Sequence, residues 1–217
     1  MAIETIIFLI AILVFSVVVH EVSHGYVAYM LGDPTAAIEG RLTLNPLKHL
    51  DLWGSFIVPV MLIALNAGFV IGWAKPVPYN PFNLRNQRWG EAMVSGAGPL
   101  ANAIIALVFA GLIRVNTAYG IFPGAFIEIT AFVVYINILL AAFNLIPIPP
   151  LDGSKVFAAL LPKELYQRFL AYRRWIAGYG MMATLLLLFL FIFLVWPFLF
   201  QGVLGIFSLL TGMPLPM

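Results

Sequence analysis

Apolar residues run through this chain in long blocks, and the polar and proline positions between them mark where helices begin, bend and stop. A helix needs about 20 apolar residues to cross the bilayer core. The first such run extends from Thr5 to Leu31 and meets a stop at Gly32-Asp33-Pro34. A second stretch, Gly54 to Ile71, carries Pro59 inside it and Asn66-Ala67-Gly68 near its end. It reads either as one ordinary helix or as a re-entrant piece bent at Pro59 and Asn66. From Gly72 to Arg88 the prolines at 76, 78 and 81 exclude a helix and predict an extended, hairpin-like segment. Three further apolar helices are predicted at Ala92 to Val115, Ala125 to Ile146 and Ile176 to Trp196. Beyond Pro197 a last run, Phe198 to Leu210, is either a short span or an interfacial piece.

Composition settles the class. Of 217 residues 63% are hydrophobic and 9% charged, with a mean hydropathy of +1.03, which describes an integral membrane protein. The first run has Glu4 rather than a basic flank and no small-residue cleavage signature, so it reads as a retained helix and not as a signal peptide. The net charge of +2 includes no basic stripe that could hold a phosphate backbone, so no nucleic-acid partner is expected. Cysteine is absent, which leaves only histidines and carboxylates to hold a metal.

The basic residues fix an orientation. Arg41, Lys48, Lys75, Arg85 and Arg88 lie in one connecting stretch, Lys155, Lys163, Arg168, Arg173 and Arg174 in another, and only Arg114 falls elsewhere. By the positive-inside rule both stretches are cytoplasmic and the N-terminus is outside. An even number of crossings must then separate Leu31 from Glu91, which favours the re-entrant reading of Gly54 to Ile71.

His20-Glu21-Val22-Ser23-His24 stands at the cytoplasmic end of the first helix. Residues four apart share a helix face, so two imidazoles can reach one ion, and Glu21 falls where it can act on a water beside that ion. Polar groups at this depth are expensive, about 2.5–3.5 kcal/mol for one charge at mid-membrane, which argues against chance. A catalytic zinc site needs a third protein ligand. His49 is available, but Asp152 is the better candidate, because Pro147, Pro149 and Pro150 break the preceding helix at the same membrane depth. Taken alone, Asp152-Gly153 would read as a turn; beside His20 and His24 it reads as a ligand. Ser23 has no accompanying base and is read as a spacer in the motif, not a nucleophile.

These residues resemble the site-2 protease family of intramembrane zinc metalloproteases. The resemblance rests on His20 to His24, on Asn45-Pro46-Leu47-Lys48-His49, on Gly72 to Pro78, on Ser95-Gly96-Ala97-Gly98-Pro99-Leu100-Ala101-Asn102 opening a helix, and on Phe143-Asn144-Leu145-Ile146-Pro147-Ile148-Pro149-Pro150-Leu151-Asp152-Gly153. It implies His20, His24 and Asp152 as ligands of one Zn2+ per chain, Glu21 as catalytic base, and Asn144 as a catalytic residue that orients the scissile carbonyl or supports its oxyanion. Asn144 also has the simpler reading of a bridge between helices, and Asn102 and Asn137 are read as interhelical glue. Gly96 and Gly98 allow close helix approach, and His49 is read as supporting the site, anchoring a loop, or simply lying at the surface.

The expected fold is an all-α polytopic membrane protein. It has a three-helix catalytic core, formed by the first helix, the helix opening at Gly98 and the broken helix leading to Asp152, with a re-entrant or β-hairpin element and additional C-terminal transmembrane helices. Residues 1–217 are expected to form a single membrane-embedded peptidase domain in the cell membrane, in the compact form without PDZ or CBS domains. Implied partners are transmembrane protein substrates, the lipid bilayer and a regulatory membrane protein that controls access. An unwound substrate strand is expected to pair along Lys75 to Tyr79, using donors such as the Val77 N–H. A metal-ion transporter and an inactive homologue that only binds membrane segments remain as alternatives, and Glu21 discriminates, since a transit site needs no base.

Overall fold

A computed structural model describes residues 3–65 and 73–213. Helix α1 (Ile3–Met30) leads through the short α2 (Thr35–Ile38) to a π-helical turn, Leu52–Ile57, which continues as α3 (Val58–Ala64). The extended residues 73–80 follow, then α4 (Gln87–Tyr119), α5 (Gly124–Asn144), α6 (Gly153–Leu160), α7 (Lys163–Gly178) and α8 (Gly180–Thr211). Among the described residues four helical stretches are long and apolar enough to cross a membrane: Ile7–Met30, Gln87–Tyr119, Gly124–Asn144 and Phe193–Thr211. The chain is a multi-pass membrane protein.

The three-helix core is present, with α1, α4 and α5 packed on one another. Helix α4 starts earlier than its apolar run suggests, because Asn86 caps it by accepting from the Trp89 N–H at 3.0 Å. Gly98 therefore lies inside α4, not at its opening. Ala106, Ala110 and Ala131 let the backbones of α4 and α5 approach closely, and Ile113, Ile127, Val134 and Ile138 fill the seam. Leu100, Ile104, Leu107 and Val108 of α4 are exposed, as a lipid-facing surface requires.

The helix expected to stop at Trp196 does not stop. Helix α8 runs unbroken through Pro197, so Ile176 to Trp196 and Phe198 to Leu210 are not separate segments. An interior proline costs about 3 kcal/mol or more. Opening the helix among lipid chains would strand several backbone groups at several kcal/mol each, so the continuous helix wins. In its second half Val203, Phe207 and Thr211 are buried, and Arg114 of α4 donates to the carbonyls of Leu210 at 2.9 Å and Leu209 at 2.7 Å.

Among the described residues no strand forms, and residues 73–80 are a single extended strap. Pro76 and Pro78 remove two of the donors a ladder would use. The strap is fastened at several points instead. The Trp73 N–H donates to Gly54 O at 3.1 Å, the Ser55 hydroxyl donates to Trp73 O at 3.0 Å, the Lys75 N–H donates to His49 O at 2.8 Å, and Arg41 Nη2 donates to Lys75 O at 2.9 Å. The chain that leaves at Gly54 is thus back beside it at Trp73. The winding changes from π to α at Val58, one residue before Pro59, while the bend expected at Asn66 lies outside the described residues.

At its far end the strap is held by Asp33, which is fully buried after the stop of α1. Its carboxylate accepts from Asn80 N at 2.6 Å, Asn83 Nδ2 at 2.8 Å, Thr35 Oγ1 at 2.5 Å and Thr35 N at 3.2 Å. Burial alone would raise the pKa of this carboxyl, but the donors from Thr35, Asn83 and Asn80 outweigh burial and hold it below its ordinary value. The ionised form is favoured in the fold, so the stabilisation is complete above the ordinary carboxylate range and is lost as pH falls through the depressed value. Thermal melts in detergent should therefore show stability dropping below about pH 4. In Asp33→Ala that acid step should vanish, with a loss of about 1–3 kcal/mol at neutral pH from the stranded donors.

Candidate metal centre

Helix α1 carries His20 and His24 on one face because residues four apart are neighbours there. Helix α4 presses Gly98 against that face: a Cβ at 98 would stand 2.5 Å from His20 Nε2 and 2.6 Å from His24 Cε1, so only glycine allows the approach. The third group comes from the proline-rich break after α5. Gly153 lets the chain fold back onto the carbonyls of Leu145 and Ile146, where any Cβ would collide, and this sets Asp152 beside the imidazoles.

Asp152 Oδ2 lies 3.2 Å from His20 Nε2 and 3.2 Å from His24 Nε2, and the three ligand atoms are all within 4.8 Å of one another. A tetrahedral ion with bonds of about 2.0–2.1 Å keeps its ligand atoms about 3.3 Å apart. The proton inventory agrees with a cation. His20 Nδ1 faces Asn102 Oδ1 at 2.6 Å and His24 Nδ1 faces the Val94 carbonyl at 2.7 Å. Oxygens of that kind only accept, so each Nδ1 carries the proton and each neutral ring turns a bare Nε2 lone pair toward the carboxylate. Lone pairs facing a carboxylate repel unless a positive charge stands between them, and two imidazoles with a carboxylate are a donor set that fits zinc.

Asp152 itself is prepared for that role. The Lys155 ammonium lines the same cavity, and its charge favours the ionised carboxylate that a metal ligand must be.

The polar support of His20 runs deeper than the motif. Asn102 Nδ2 donates to Asn137 Oδ1 at 2.7 Å, and Asn137 Nδ2 donates to Ser16 Oγ at 2.9 Å and to Val133 O at 2.9 Å. Asn102 and Asn137 are both 0% exposed, so they are glue between α1, α4 and α5, as expected. They also orient His20, a role the sequence reading missed. The signal was present: Asn102 stands one turn from Gly98, and Ser16 one turn before His20.

Glu21 and Asn144 line a cavity of about 220 Å³ together with His20, His24 and Asp152. Glu21 Oε2 accepts from the Val77 N–H at 3.0 Å. That donor, expected to serve an incoming strand, is engaged within the protein. Asn144 Nδ2 donates one proton to Leu140 O at 3.0 Å and keeps a second N–H. The Ser23 hydroxyl donates to Val19 O at 2.7 Å. His49 is 1% exposed, not a surface residue, and its Nε2 meets Thr43 O at 2.9 Å, anchoring the loop that holds the strap. Tyr79, Ser95 and Lys155 also line the cavity without having been assigned a part in it, and the Lys155 ammonium rests over the Tyr79 ring at 5.2 Å.

The family model described as peptidase family M50 matches residues 8–122 and 111–189, which takes in the helix pair, the strap and the Asp152 loop. The chain belongs to peptidase family M50. This is the site-2 protease family that its motifs resemble. Among M50 relatives, the chain is 39% identical over 160 residues to "Putative zinc metalloprotease YwhC" of Bacillus subtilis, covering 71% of this chain and 69% of that protein. It is 31% identical over 174 residues to "Putative zinc metalloprotease Rip2" of Mycolicibacterium smegmatis, covering 79% of this chain and 63% of the relative. A shorter match, 44% over 61 residues, covers 28% of this chain and 29% of "Putative zinc metalloprotease MJ0611" of Methanocaldococcus jannaschii. No solved structure matches the chain.

Replacing Asn102 by leucine removes the acceptor of the His20 Nδ1–H and strands Asn137 Oδ1. Zinc affinity, read by chelator competition, should fall about 10- to 100-fold. An affinity within twofold of the unaltered protein would mean that this network does not tune the ligand.

Proposed function

We propose that this M50 peptidase works inside the cell membrane, as an intramembrane zinc metalloprotease that hydrolyses peptide bonds in or near transmembrane segments of other membrane proteins. The observation that carries this reading is the convergence of His20, His24 and Asp152, from two spanning helices' worth of sequence distance, beside a cavity that also holds Glu21. In this reading His20, His24 and Asp152 hold the zinc. Bound there, zinc supplies Lewis acidity, acidifying water toward a pKa of about 7 and polarising a carbonyl.

The remaining steps belong to the chain's own residues. Glu21 takes a proton from water and delivers it to the leaving amine; Oε2 accepts from the Val77 N–H, and a carboxylate has a second oxygen to receive the water. Asn144 offers its second N–H to the scissile carbonyl. Single-pass segments suit the site only after local unwinding, since a helical backbone is bonded to itself and shielded from attack. The positions of the basic residues support a cytoplasmic site and an external N-terminus. The return of the chain from Gly54 to Trp73 supports a re-entrant loop, because both ends of that excursion lie at one level.

Purified protein in detergent should contain about one zinc per chain and cut a single-span test peptide, with both zinc and cleavage lost on strong chelation. Glu21→Gln should keep the zinc while cleavage falls by about 10²- to 10⁴-fold, the usual contribution of a general base. Cleavage by Glu21→Gln at the unaltered rate, or a zinc-loaded protein that cuts no such peptide, would overturn the assignment.

A further inference from the structure

An O–H that is shut away from water is costly unless something accepts it, and helical serines and threonines commonly solve this by donating to the carbonyl one turn back. Three buried hydroxyls keep to that rule, and a fourth is engaged as an acceptor. Thr130 donates to Phe126 O at 2.7 Å, Thr211 to Phe207 O at 2.8 Å and Ser154 to Leu151 O at 2.7 Å, while Ser16 Oγ receives Asn137 at 2.9 Å. Among the described residues Ser95 is the exception: it is 1% exposed, and its Oγ has no hydrogen-bond partner.

Its position gives the exception a meaning. Ser95 lines the cavity that holds His20, Glu21, His24 and Asp152. On α4 it follows Val94, whose carbonyl orients His24, and precedes by three residues Gly98, which touches both imidazoles. Pro99, four residues on, has no N–H, so the ladder bond that would occupy the Ser95 carbonyl is not made either. One residue beside the metal cluster thus keeps its side-chain donor unspent. The Oγ is sealed from water in this conformation. Ser95 already lines the cavity, and a change of its side-chain rotamer breaks no hydrogen bond, since none exists.

We propose that Ser95 is a further catalytic residue, whose hydroxyl donates to the carbonyl oxygen of the scissile peptide as that carbon becomes tetrahedral. The proposal rests on the peptidase reading above and adds to Asn144 a second donor from a different helix. A donor held without a partner until the substrate arrives loses nothing when it engages, which is the condition under which such a bond favours the transition state over the ground state.

Ser95→Ala makes the test, because a donor without a partner and a structural hydroxyl respond in opposite ways. The expected result is an unchanged or raised melting temperature, unchanged zinc content, an unchanged KM and a kcat lowered about 10²- to 10³-fold on the single-span peptide. Affinity for a phosphinic analogue of that peptide, which carries the tetrahedral centre, should drop by the same factor. Binding of the intact peptide to a Glu21→Gln, Ser95→Ala double variant should match that of Glu21→Gln alone. Ser95→Thr, which keeps the hydroxyl, should retain most of the kcat. A Ser95→Ala protein that cuts within twofold of the unaltered rate overturns the proposal while leaving the peptidase reading intact. A fall in melting temperature and zinc content together with activity overturns it in favour of a structural role, and failure of the unaltered zinc-loaded protein to cut any peptide removes the reading on which it stands.

Discussion

A polar atom carried into a bilayer has no water to fall back on, and leaving it without a partner inside the protein costs several kcal/mol. The centre of this fold is organised by that requirement. His20 is bonded to Asn102, Asn102 to Asn137, and Asn137 to Ser16, so the chain of contacts leaves α1 at one turn and returns to it at the turn before. Because each member is satisfied only when the other helices are in register, the network specifies how α1, α4 and α5 sit together. The position of the imidazoles follows from that packing.

The loops extend the same logic toward the membrane surface. The strap of residues 73–80 has little regular pairing of its own and is positioned by side chains from elsewhere: Asp33 at one end, Arg41 and Glu21 along it, and the π-helical turn at the other end. Arg88 ties the opposite rim, donating to the carbonyls of Ala159 and Leu161 and lying over the Tyr166 ring, so that α6 and α7 are fixed to the start of α4. The cavity therefore has a floor built on spanning helices and a rim built on loops, with Glu21 belonging to both.

The sequence disclosed the floor more readily than the rim. A pair of histidines four apart on an apolar helix and an aspartate after a run of prolines are written in residue type and spacing, and these three groups meet in the fold. The grouping of α1, α4 and α5 was legible for the same reason. Where the start of α4 depends on a single cap, Asn86, the apolar pattern placed it too late, because capping chemistry lies outside the hydrophobic run. At Pro197 a rule for soluble helices was misleading, since in lipid the alternative to a strained helix is worse than the strain. The engagement of the Val77 N–H by Glu21 joins residues 56 positions apart and has no local signature at all.

The prolines of the strap have one further effect. With Pro76 and Pro78 flanking Val77, and the Val77 N–H committed to Glu21, the strap presents no continuous row of donors to its surroundings. Exposed edges with unbroken rows adhere to any extended chain they meet, which is how sheets aggregate. Proline at every second position interrupts that row, so residues 76–78 offer no such adhesive edge.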